Sequence, residues 1–297
     1  MTATSVEPAA GTDPGHDPRA LATNKRTSQR GRRGRKQRAL LRLRAEIPFS
    51  ARVVLATTGV AGLFALWWVA STFWATDSVV VPTPTAAWNA GVAYWNSGEL
   101  ATDFRASTTR VLWGYSISMA VGIVLGVAMG TFRSIEAFWE SPIGFLRYIP
   151  ATALTSLFLL WLGIDETPKV ALIIAGTVFF NILMTADVVR AVPRELINTS
   201  YTLGAGRLRV LRKVVLPHSW PGIIDVARIN LAAAWLMLVV AELLAAQDGL
   251  GYRLVQSQRF RQVDRIFAIL MVFALIGITS DLALRGLRNR AFPWARP

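Results

Sequence analysis

Residues 111–132 read VLWGYSISMAVGIVLGVAMGTF, a run of 22 residues without a charged side chain. At about 1.5 Å of rise per residue, a helix of this run is roughly 33 Å long, which is enough to cross the hydrocarbon core of a bilayer. Small residues recur at every fourth position along one face of this helix: Gly114, Ser118, Gly122, Gly126 and Gly130. Because small side chains let helices approach closely in lipid, the stripe predicts a helix contact, either within the chain or at a moving or dimeric interface.

Other apolar runs lie on both sides of this one. Residues 53–74 form a second uncharged run of 22 residues, and shorter or acid-interrupted runs follow towards the C-terminus. A soluble fold would need six long buried helices with scarcely any polar face, which a chain of this size cannot cover. We therefore predict an all-α membrane protein, with Pro150 kinking its third helix. The six transmembrane helices are expected near 53–74, 107–132, 142–164, 168–187, 222–246 and 265–287.

The composition agrees with this class. The 297 residues are 53% hydrophobic and 17% charged, whereas a soluble domain has roughly 25% charged residues. Lys and Arg number 32 against 18 Asp and Glu, a formal charge of +14 that suits either nucleic acid or the cytoplasmic rim of a membrane protein. There is no Cys and there are two His, so thiolate and His-based metal sites are excluded. We expect no catalytic, cofactor or metal site in this chain.

Basic residues mark the expected orientation. Residues 25–52 carry eleven Lys and Arg and one acid, so residues 1–50 are expected to form a disordered cytoplasmic tail near anionic lipid, followed by a membrane domain at 51–297. A nucleic-acid arm is disfavoured because the run has no interleaved aromatic residues. The 188–222 loop and the C-terminal end are also basic, which places both termini in the cytoplasm. The 247–265 loop disagrees, because four arginines fall outside, where we expect them to face an acidic partner or lipid headgroups: Arg253, Arg259, Arg261 and Arg265.

The long cytoplasmic loop 190–222 reads RAVPRELINTSYTLGAGRLRVLRKVVLPHSWPG. Pro193 is suited to the first turn of a helix, which Gly204 and Gly206 then break or bend. The apolar residues that follow recur among basic residues, which predicts a short amphipathic helix ending at Leu216-Pro217. On pattern alone, this helix could also lie on the inner leaflet.

This loop resembles the EAA loop of ABC-importer permeases, in which a glycine precedes Leu-Pro by a fixed interval. Gly204 and Leu216-Pro217 match that interval, while the acid-Ala-Ala triplet falls on Asn198, Thr199 and Ser200. The resemblance covers most of residues 100–295 and is similar in detail to the sulfonate, taurine, nitrate and bicarbonate permeases. Its further motifs are Arg110 with Gly114, Leu160–Glu166 with Lys169, Ala234-Trp235, Val239–Glu242, Gly249–Tyr252, Asp281 and Pro293-Trp294.

The resemblance implies the permease fold of a type I ABC importer with a cytoplasmic coupling helix, in the inner membrane of a bacterium. It implies a homodimer of permeases, two cytoplasmic ATPase subunits docked on the 190–222 loops, and an extracytoplasmic binding protein that delivers a small, often anionic solute. The chain has no Gly-rich P-loop, so ATP and Mg²⁺ are expected on the ATPase partner and the chain is expected not to be an enzyme. The candidate ATPase-coupling residues are Asn198, Thr199, Ser200, Leu203, Gly204, Ala205, Leu208, Leu211, Leu216 and Pro217.

Ionisable residues in the spans are candidates for function because charge at membrane depth is costly. Glu242 is expected either to pair with an Arg or with N–H groups near residues 249–252, or to act as a gate or proton relay. Arg110, Glu242 and Trp235 are therefore the candidate path or gate residues. Asp225 with Arg228 and Asp281 with Arg285 are expected ion pairs along their helices.

Two other functions remain as alternatives. An ion-coupled secondary transporter would show inverted repeats and several ionisable residues at the midplane, and a membrane-anchored nucleic-acid regulator would need a folded basic domain. The sequence shows neither feature, so no nucleic-acid partner is expected. We expect a nitrate-, sulfonate-, taurine- or bicarbonate-like solute. Arg105 and Arg110 near the outer mouth, with Arg253, Arg259 and Arg261, suit a small anion, and they equally suit docking of an acidic binding protein.

Overall fold

The computed structural model describes residues 48–73 and 81–295, and every regular element among them is helical. The basic tail up to residue 47 therefore lies outside the described residues. The helices are α1 (Phe49–Phe73), α2 (Pro84–Asn96), α3 (Glu99–Thr131), α4 (Arg133–Leu146), α5 (Thr155–Leu162), α6 (Glu166–Arg190), α7 (Arg194–Thr202), α8 (Arg207–Val210), α9 (Leu216–Ala245), α10 (Leu250–Arg259) and α11 (Val263–Ala291). Short 3-10 segments lie at Ala151–Leu154 and Pro293–Ala295, and a π-helical turn at Leu211–Val215. The predicted all-α membrane class is confirmed.

Contacts within the chain define two units, one ending at Leu66 and the other beginning at Trp67. The described part of the first unit is the beginning of α1, whose apolar residues are spread around the whole circumference. Such a pattern is typical of a helix surrounded by lipid. The elements from α2 onward all belong to the second unit.

Among the described residues, five helical stretches are long and apolar enough to cross a membrane: Ser50–Phe73, Glu99–Thr131, Glu166–Arg190, Arg207–Leu243 and Val263–Ala291. A sixth crossing would combine α4 with the segment Ala151–Leu162, and these two meet at 76°. The predicted single helix at 142–164 is therefore wrong: α4 begins at Arg133, and the chain breaks after Leu146. Pro150 explains the break, because it lacks an N–H and keeps the residue before it out of the helical region.

The stretch 75–106, which lies between the first two predicted spans, contains α2 and the beginning of α3. The side chain of Thr83 accepts a hydrogen bond from the backbone N–H of Ala86, and Pro84 occupies the first turn of α2. Both are standard features of a helix start. Gly98, with φ of 76°, then separates α2 from α3. The 13-residue α2 was missed because it is too short to register as a span.

The 190–222 loop contains α7, a turn at Gly204 with φ of +79°, and α8. The predicted end of the amphipathic helix at Leu216-Pro217 is wrong, because α8 continues through the π-helical turn into α9. A proline inside a helix clashes with the carbonyl four residues earlier, and a π-helical turn changes that register. The N–H of Leu216 bonds to the carbonyl of Leu211, five residues back, so Pro217 is accommodated where the helix widens.

The glycine stripe of α3 packs against α6. A Cβ atom added to Gly114 would collide with Ile173, and one at Gly122 would collide with Asn181. Gly126 and Gly130 are equally close to the last turns of α6. Of the two interpretations of the stripe, the structure therefore supports a helix contact within the chain.

Buried polar side chains continue this contact at the middle of the spans. Ser118 on α3 accepts hydrogen bonds from Thr177 at 2.8 Å and from Asn181 at 2.9 Å, both on α6. Asn230 on α9 donates to Asn181 at 2.7 Å. Because these groups satisfy one another in an apolar surrounding, they fix the relative position of α3, α6 and α9.

Ion pairs join α9 to α11 near their ends. The predicted pair of Asp281 with Arg285 is present at 3.0 Å, whereas Asp225 and Arg228 are 3.9 Å apart. Shorter contacts cross between the helices, from Arg228 to Asp281 at 3.1 Å and from Arg288 to Asp225 at 3.0 Å. These carboxylates therefore connect two helices, which spacing along one helix does not predict.

Candidate functional site

Arg110 on α3 is buried and lies at the centre of a group of three carboxylates. Its side chain donates to Glu242 on α9 at 2.7 Å, to both carboxylate oxygens of Glu166 on α6 at 2.5 and 2.8 Å, and to Asp248 at 2.5 Å. It also donates to the carbonyl oxygen of Asp248 at 2.9 Å. We call Arg110, Glu166, Glu242 and Asp248 the Arg110 cluster. A single guanidinium thus connects three helices and the α9–α10 loop.

Glu242 is fully buried in this cluster. Besides Arg110, it accepts hydrogen bonds from the hydroxyl of Ser107 and from the backbone N–H of Gly251, each at 2.7 Å. The structure therefore pairs Glu242 with an arginine and with a helix-end N–H at once, as the structural interpretation of this residue predicts. Buried charge is tolerated when it is paired and fully hydrogen-bonded, which is the case here.

Two glycines make room for this carboxylate. Gly249 has φ of +112°, and a Cβ atom there would overlap both the carboxylate of Glu242 and the guanidinium of Arg110. Gly251 is similarly close to Glu242. The run Gly249–Tyr252 is thus explained by the close approach of backbone to a buried ion pair.

Cations and acids of the same chain compensate most of the charge of the cluster. Lys169 is 5% exposed and contacts Glu166 at 2.7 Å. Two cations therefore face three carboxylates, of which Glu166 and Asp248 are about half exposed. The expectation that Arg110 receives a solute anion does not fit this geometry, because its guanidinium is already occupied by acids of the same chain.

A second network lies beside the cluster, between α2, α3, α10 and α11. Asp103 is fully buried and accepts hydrogen bonds from Tyr94 at 2.6 Å, Arg253 at 2.8 Å and the backbone N–H of Gly249 at 2.9 Å. Burial, followed by the hydrogen bond to Asp103, raises the pKa of the Tyr94 phenol, so Tyr94 remains a donor at physiological pH.

This network corrects one expectation about the 247–265 loop. Arg253 contacts Asp103 and also Glu99 at 3.1 Å, and Arg265 contacts Glu99. Two of the four arginines therefore face acids of the same chain and not a partner or lipid headgroups. Arg259 and Arg261 are exposed.

Of the three candidate path or gate residues, the structure brings two together. Arg110 and Glu242 are in direct contact. Trp235 lies elsewhere, packed edge-on against Phe273 with ring centroids 6.2 Å apart. Its indole N–H is buried without a hydrogen-bond partner among the described residues.

Eight of the ten predicted coupling residues lie on the segment Arg194–Val215, which we call the 194–215 segment, and Leu216 and Pro217 directly follow it. Leu203 is 83% exposed and Leu208 is 59% exposed. Leu211 was expected to share the outward face of Leu208, but it packs against the buried cluster that contains Val210 and Val215. The π-helical turn begins at Leu211, so the helix no longer follows the spacing on which the expected face was based.

The remaining coupling residues divide between the two ends of the segment. Asn198, Thr199 and Ser200 lie on α7, and the Ser200 hydroxyl donates to the carbonyl oxygen of Leu196. Gly204 and Ala205 form the turn between α7 and α8, with no atom within 4 Å of the place where a side chain on Gly204 would begin. Leu216 and Pro217 begin α9.

The sequence did not identify Asp103, Glu166 and Asp248 as partners of Arg110 and Arg253, or Ser107 as a donor to Glu242. One signal was available: Asp103, Ser107 and Arg110 are spaced four and three residues apart, which places them on one face of a helix. A polar face on an otherwise apolar span indicates buried polar partners.

The Arg110 cluster also borders an open groove of 760 Å³ on the side of α3 that carries Thr102, Arg105, Thr109 and Trp113. Arg105 is exposed, and no ion pair with it is seen in the described parts of the chain. The groove thus has one unoccupied guanidinium at its edge and acidic residues at its base.

Five to six helical stretches long enough to cross a bilayer place the chain among multi-pass membrane proteins. Residues 118–292 match the family of the binding-protein-dependent transport system inner membrane component, and the chain belongs to this family. It is a permease subunit of an ABC importer, a multi-pass protein of the inner membrane. The predictions of family, fold and function are confirmed, and the alternative of an ion-coupled secondary transporter is not supported.

Relatives support the same assignment. The chain is 36% identical to a probable ABC transporter permease of Brucella melitensis over 220 residues, covering 74% of this chain and 89% of the relative. It is 32% identical to the taurine transport system permease of Escherichia coli K12, covering 85% and 94%. It is 31% identical to a putative aliphatic sulfonates transport permease of Bacillus subtilis 168, covering 79% and 85%. These relatives are permease subunits and not enzymes, which confirms that prediction for this chain.

Solved structures show the same fold at low sequence identity. A chain of the inward-facing MetNI methionine ABC transporter aligns with a TM-score of 0.53 at 19% identity, covering 66% of this chain and 96% of that one. A chain of a bacterial ABC transporter that imports alginate aligns with a TM-score of 0.58 at 13% identity, covering 89% and 99%. The ABC importer permease fold implies an ATPase and a binding protein as partners.

Proposed function

We propose that this permease forms, as a homodimer, the path for a small anion of the sulfonate, taurine, nitrate or bicarbonate type. An extracytoplasmic binding protein delivers the solute, and two ATPase subunits dock on the 190–222 loops and bind ATP and Mg²⁺. Both termini are cytoplasmic, with the basic tail at 1–50 and the permease domain at 51–297. The relatives named for taurine and aliphatic sulfonates carry the proposal about the solute.

The orientation is supported by where the basic residues between the spans lie. Arg253 and Arg265 contact Glu99 and Asp103 of the same chain, which gives two of the four arginines of the 247–265 loop a structural role. By contrast, no ion pair is seen among the described residues for the cations of the 194–215 segment, which are Arg194, Arg207, Arg209, Arg212 and Lys213. Unpaired cations between spans favour the cytoplasmic side.

Docking of the ATPase on the 194–215 segment is supported by its exposed apolar side chains. Leu203 and Leu208 project from either side of the Gly204 turn and are more than half exposed. Exposed leucines on a short helix suit a groove in a partner protein. The cations around them keep the segment outside the hydrocarbon core.

The solute proposal assigns the first contact with the anion to Arg105 and not to Arg110. Arg110 is 3% exposed and bound to three carboxylates, whereas Arg105 is exposed at the edge of the 760 Å³ groove. An exposed guanidinium attracts a small anion through its charge and offers paired N–H donors.

Uptake into reconstituted vesicles tests this proposal. The permease, its ATPase and its binding protein are reconstituted, and import of labelled taurine, an alkanesulfonate, nitrate and bicarbonate is measured with ATP inside. We expect at least one of these anions to be imported, and Arg105→Gln to lower its uptake about fivefold, because one exposed charge contact contributes roughly 1 kcal/mol. Arg259→Gln removes an exposed cation away from the groove and is expected to leave uptake near that of the wild type. Import of none of these four solutes would contradict the proposal.

A further inference from the structure

A second groove, of 510 Å³, lies where α3 and α6 end, beside the 194–215 segment. Its floor is apolar and includes Val189, Ile197, Val210, Leu211 and Val215. Neither Leu203 nor Leu208 lines it. It is therefore separate from the two exposed leucines proposed for the ATPase, although Ile197, Arg207 and Leu211 of the 194–215 segment line it.

The rim of this groove is cationic. The side chain of Arg133 is 89% exposed, and its contact with Glu136 is long, at 3.4 Å. Glu136 is held more closely by Arg190, at 2.5 Å. Arg207 forms no ion pair within the described parts of the chain, and no acidic residue lines the groove. The guanidinium groups of Arg133 and Arg207 therefore line the same groove, and no carboxylate among the lining residues neutralises them.

Polar groups beside these arginines also lack partners. The hydroxyl oxygen of Thr131 is buried and has no hydrogen-bond partner among the described residues. Buried hydroxyl groups without a partner are rare in folded proteins, and an unseen ligand or water is the usual explanation. Tyr201 lines the same rim and is 47% exposed.

We infer that this groove binds an anionic phospholipid. The groove lies at the ends of two membrane spans, which is the depth of lipid headgroups. An acyl chain would cover the apolar floor, and the phosphate would accept hydrogen bonds from Arg133 and Arg207. Basic pockets between spans on the cytoplasmic side are suited to anionic headgroups. A free phosphate ion would use the rim but would leave the floor uncovered.

Lipid binding by the purified full-length chain tests this inference. Native mass spectrometry measures the affinity for phosphatidylglycerol and, separately, for phosphatidylcholine. We expect Arg133→Gln with Arg207→Gln to weaken phosphatidylglycerol binding roughly tenfold or more, since each cation contributes about 1 kcal/mol near an anionic surface. Lysine at both positions keeps the charge and is expected to retain binding within about threefold. Arg209→Gln with Arg290→Gln removes two exposed cations that do not line the groove, and it is expected to leave binding unchanged.

Several outcomes would overturn the inference. Equal binding of both lipids by the wild-type chain would show that the net negative charge of the headgroup is not recognised, because both lipids carry a phosphate. Equal losses in the groove pair and in the Arg209 and Arg290 control pair would show a diffuse effect of charge. Displacement of phosphatidylglycerol by inorganic phosphate at the same concentration would indicate a site for free phosphate, and displacement by the purified ATPase would indicate a protein-docking groove.

Discussion

The Arg110 cluster and the 194–215 segment are both rich in charged side chains, but these are paired within the chain in the cluster and unpaired in the segment. In the cluster, each carboxylate contacts Arg110. In the segment, five cations are exposed or partly exposed and form no ion pair with the described residues. Charges that are paired within the chain stabilise its fold, whereas unpaired cations beside exposed leucines suit the binding of a partner. The comparison indicates that the cluster stabilises the permease and that the segment binds another molecule.

The largest loss of stability is expected from a substitution that breaks the ion pairs of the Arg110 cluster. Arg110→Ala would leave Glu242 buried without a compensating cation, which costs about 3–5 kcal/mol of the free energy of unfolding. Thermal unfolding of the purified chain in detergent measures the loss. Glu166→Gln is the matched control: the carboxylate of Glu166 is 60% exposed, so we expect a loss of about 1 kcal/mol or less.

A double variant separates pairing from general damage. In Arg110→Ala, the loss of stability is expected to come from the buried charge of Glu242, which no longer has its cation. The double variant Arg110→Ala with Glu242→Ala should therefore lose less free energy of unfolding than the sum of the two single losses. Additive losses, or an Arg110→Ala variant as stable as Glu166→Gln, would show that the cluster does not stabilise the fold through its charges.

A smaller effect is expected from the packing that holds the two regions in one unit. Gly122→Leu would place a side chain against Asn181, where even a Cβ atom collides. We expect a loss of about 1–3 kcal/mol, because overpacking a close helix contact forces the helices apart. Gly277→Leu on α11, where nothing lies within 4 Å of an added Cβ, should have little effect in the same thermal assay. Equal stability of the two variants would contradict the assigned contact of α3 with α6.

The sequence predicted part of the Arg110 cluster but not all of it. The apolar runs showed the spans, and the position of Glu242 inside one of them showed that it needs a partner. The full set of partners was not predictable from local spacing, because Glu166, Glu242 and Asp248 are 56, 132 and 138 positions from Arg110. Contacts at such separations depend on how α3, α6 and α9 pack.

Local geometry also changed two expectations. Pro150 was expected to kink one helix, but the chain breaks between Leu146 and the segment Ala151–Leu162, and the two parts differ in direction by 76°. Leu216-Pro217 was expected to end a helix, but the π-helical turn carries the helix past Pro217. In both places the sequence correctly indicated that a proline disturbs a helix. Whether the helix breaks or continues depends on the conformation of the backbone around the proline.

We propose that the 194–215 segment, on which the ATPase docks, also transmits the signal of the loaded binding protein to the ATPase. ATP hydrolysis by the reconstituted transporter, with and without solute-loaded binding protein, tests it most directly in Gly204→Arg. Gly204 lies at an open turn with φ of +79°, so a long cation there would disturb a docked partner while leaving the packed spans intact. Gly204→Ala introduces the same backbone strain, of about 1–2 kcal/mol, without the added charge. We expect Gly204→Arg to abolish the stimulation of ATP hydrolysis and Gly204→Ala to keep most of it. Full stimulation in Gly204→Arg would show that the 194–215 segment does not transmit the signal.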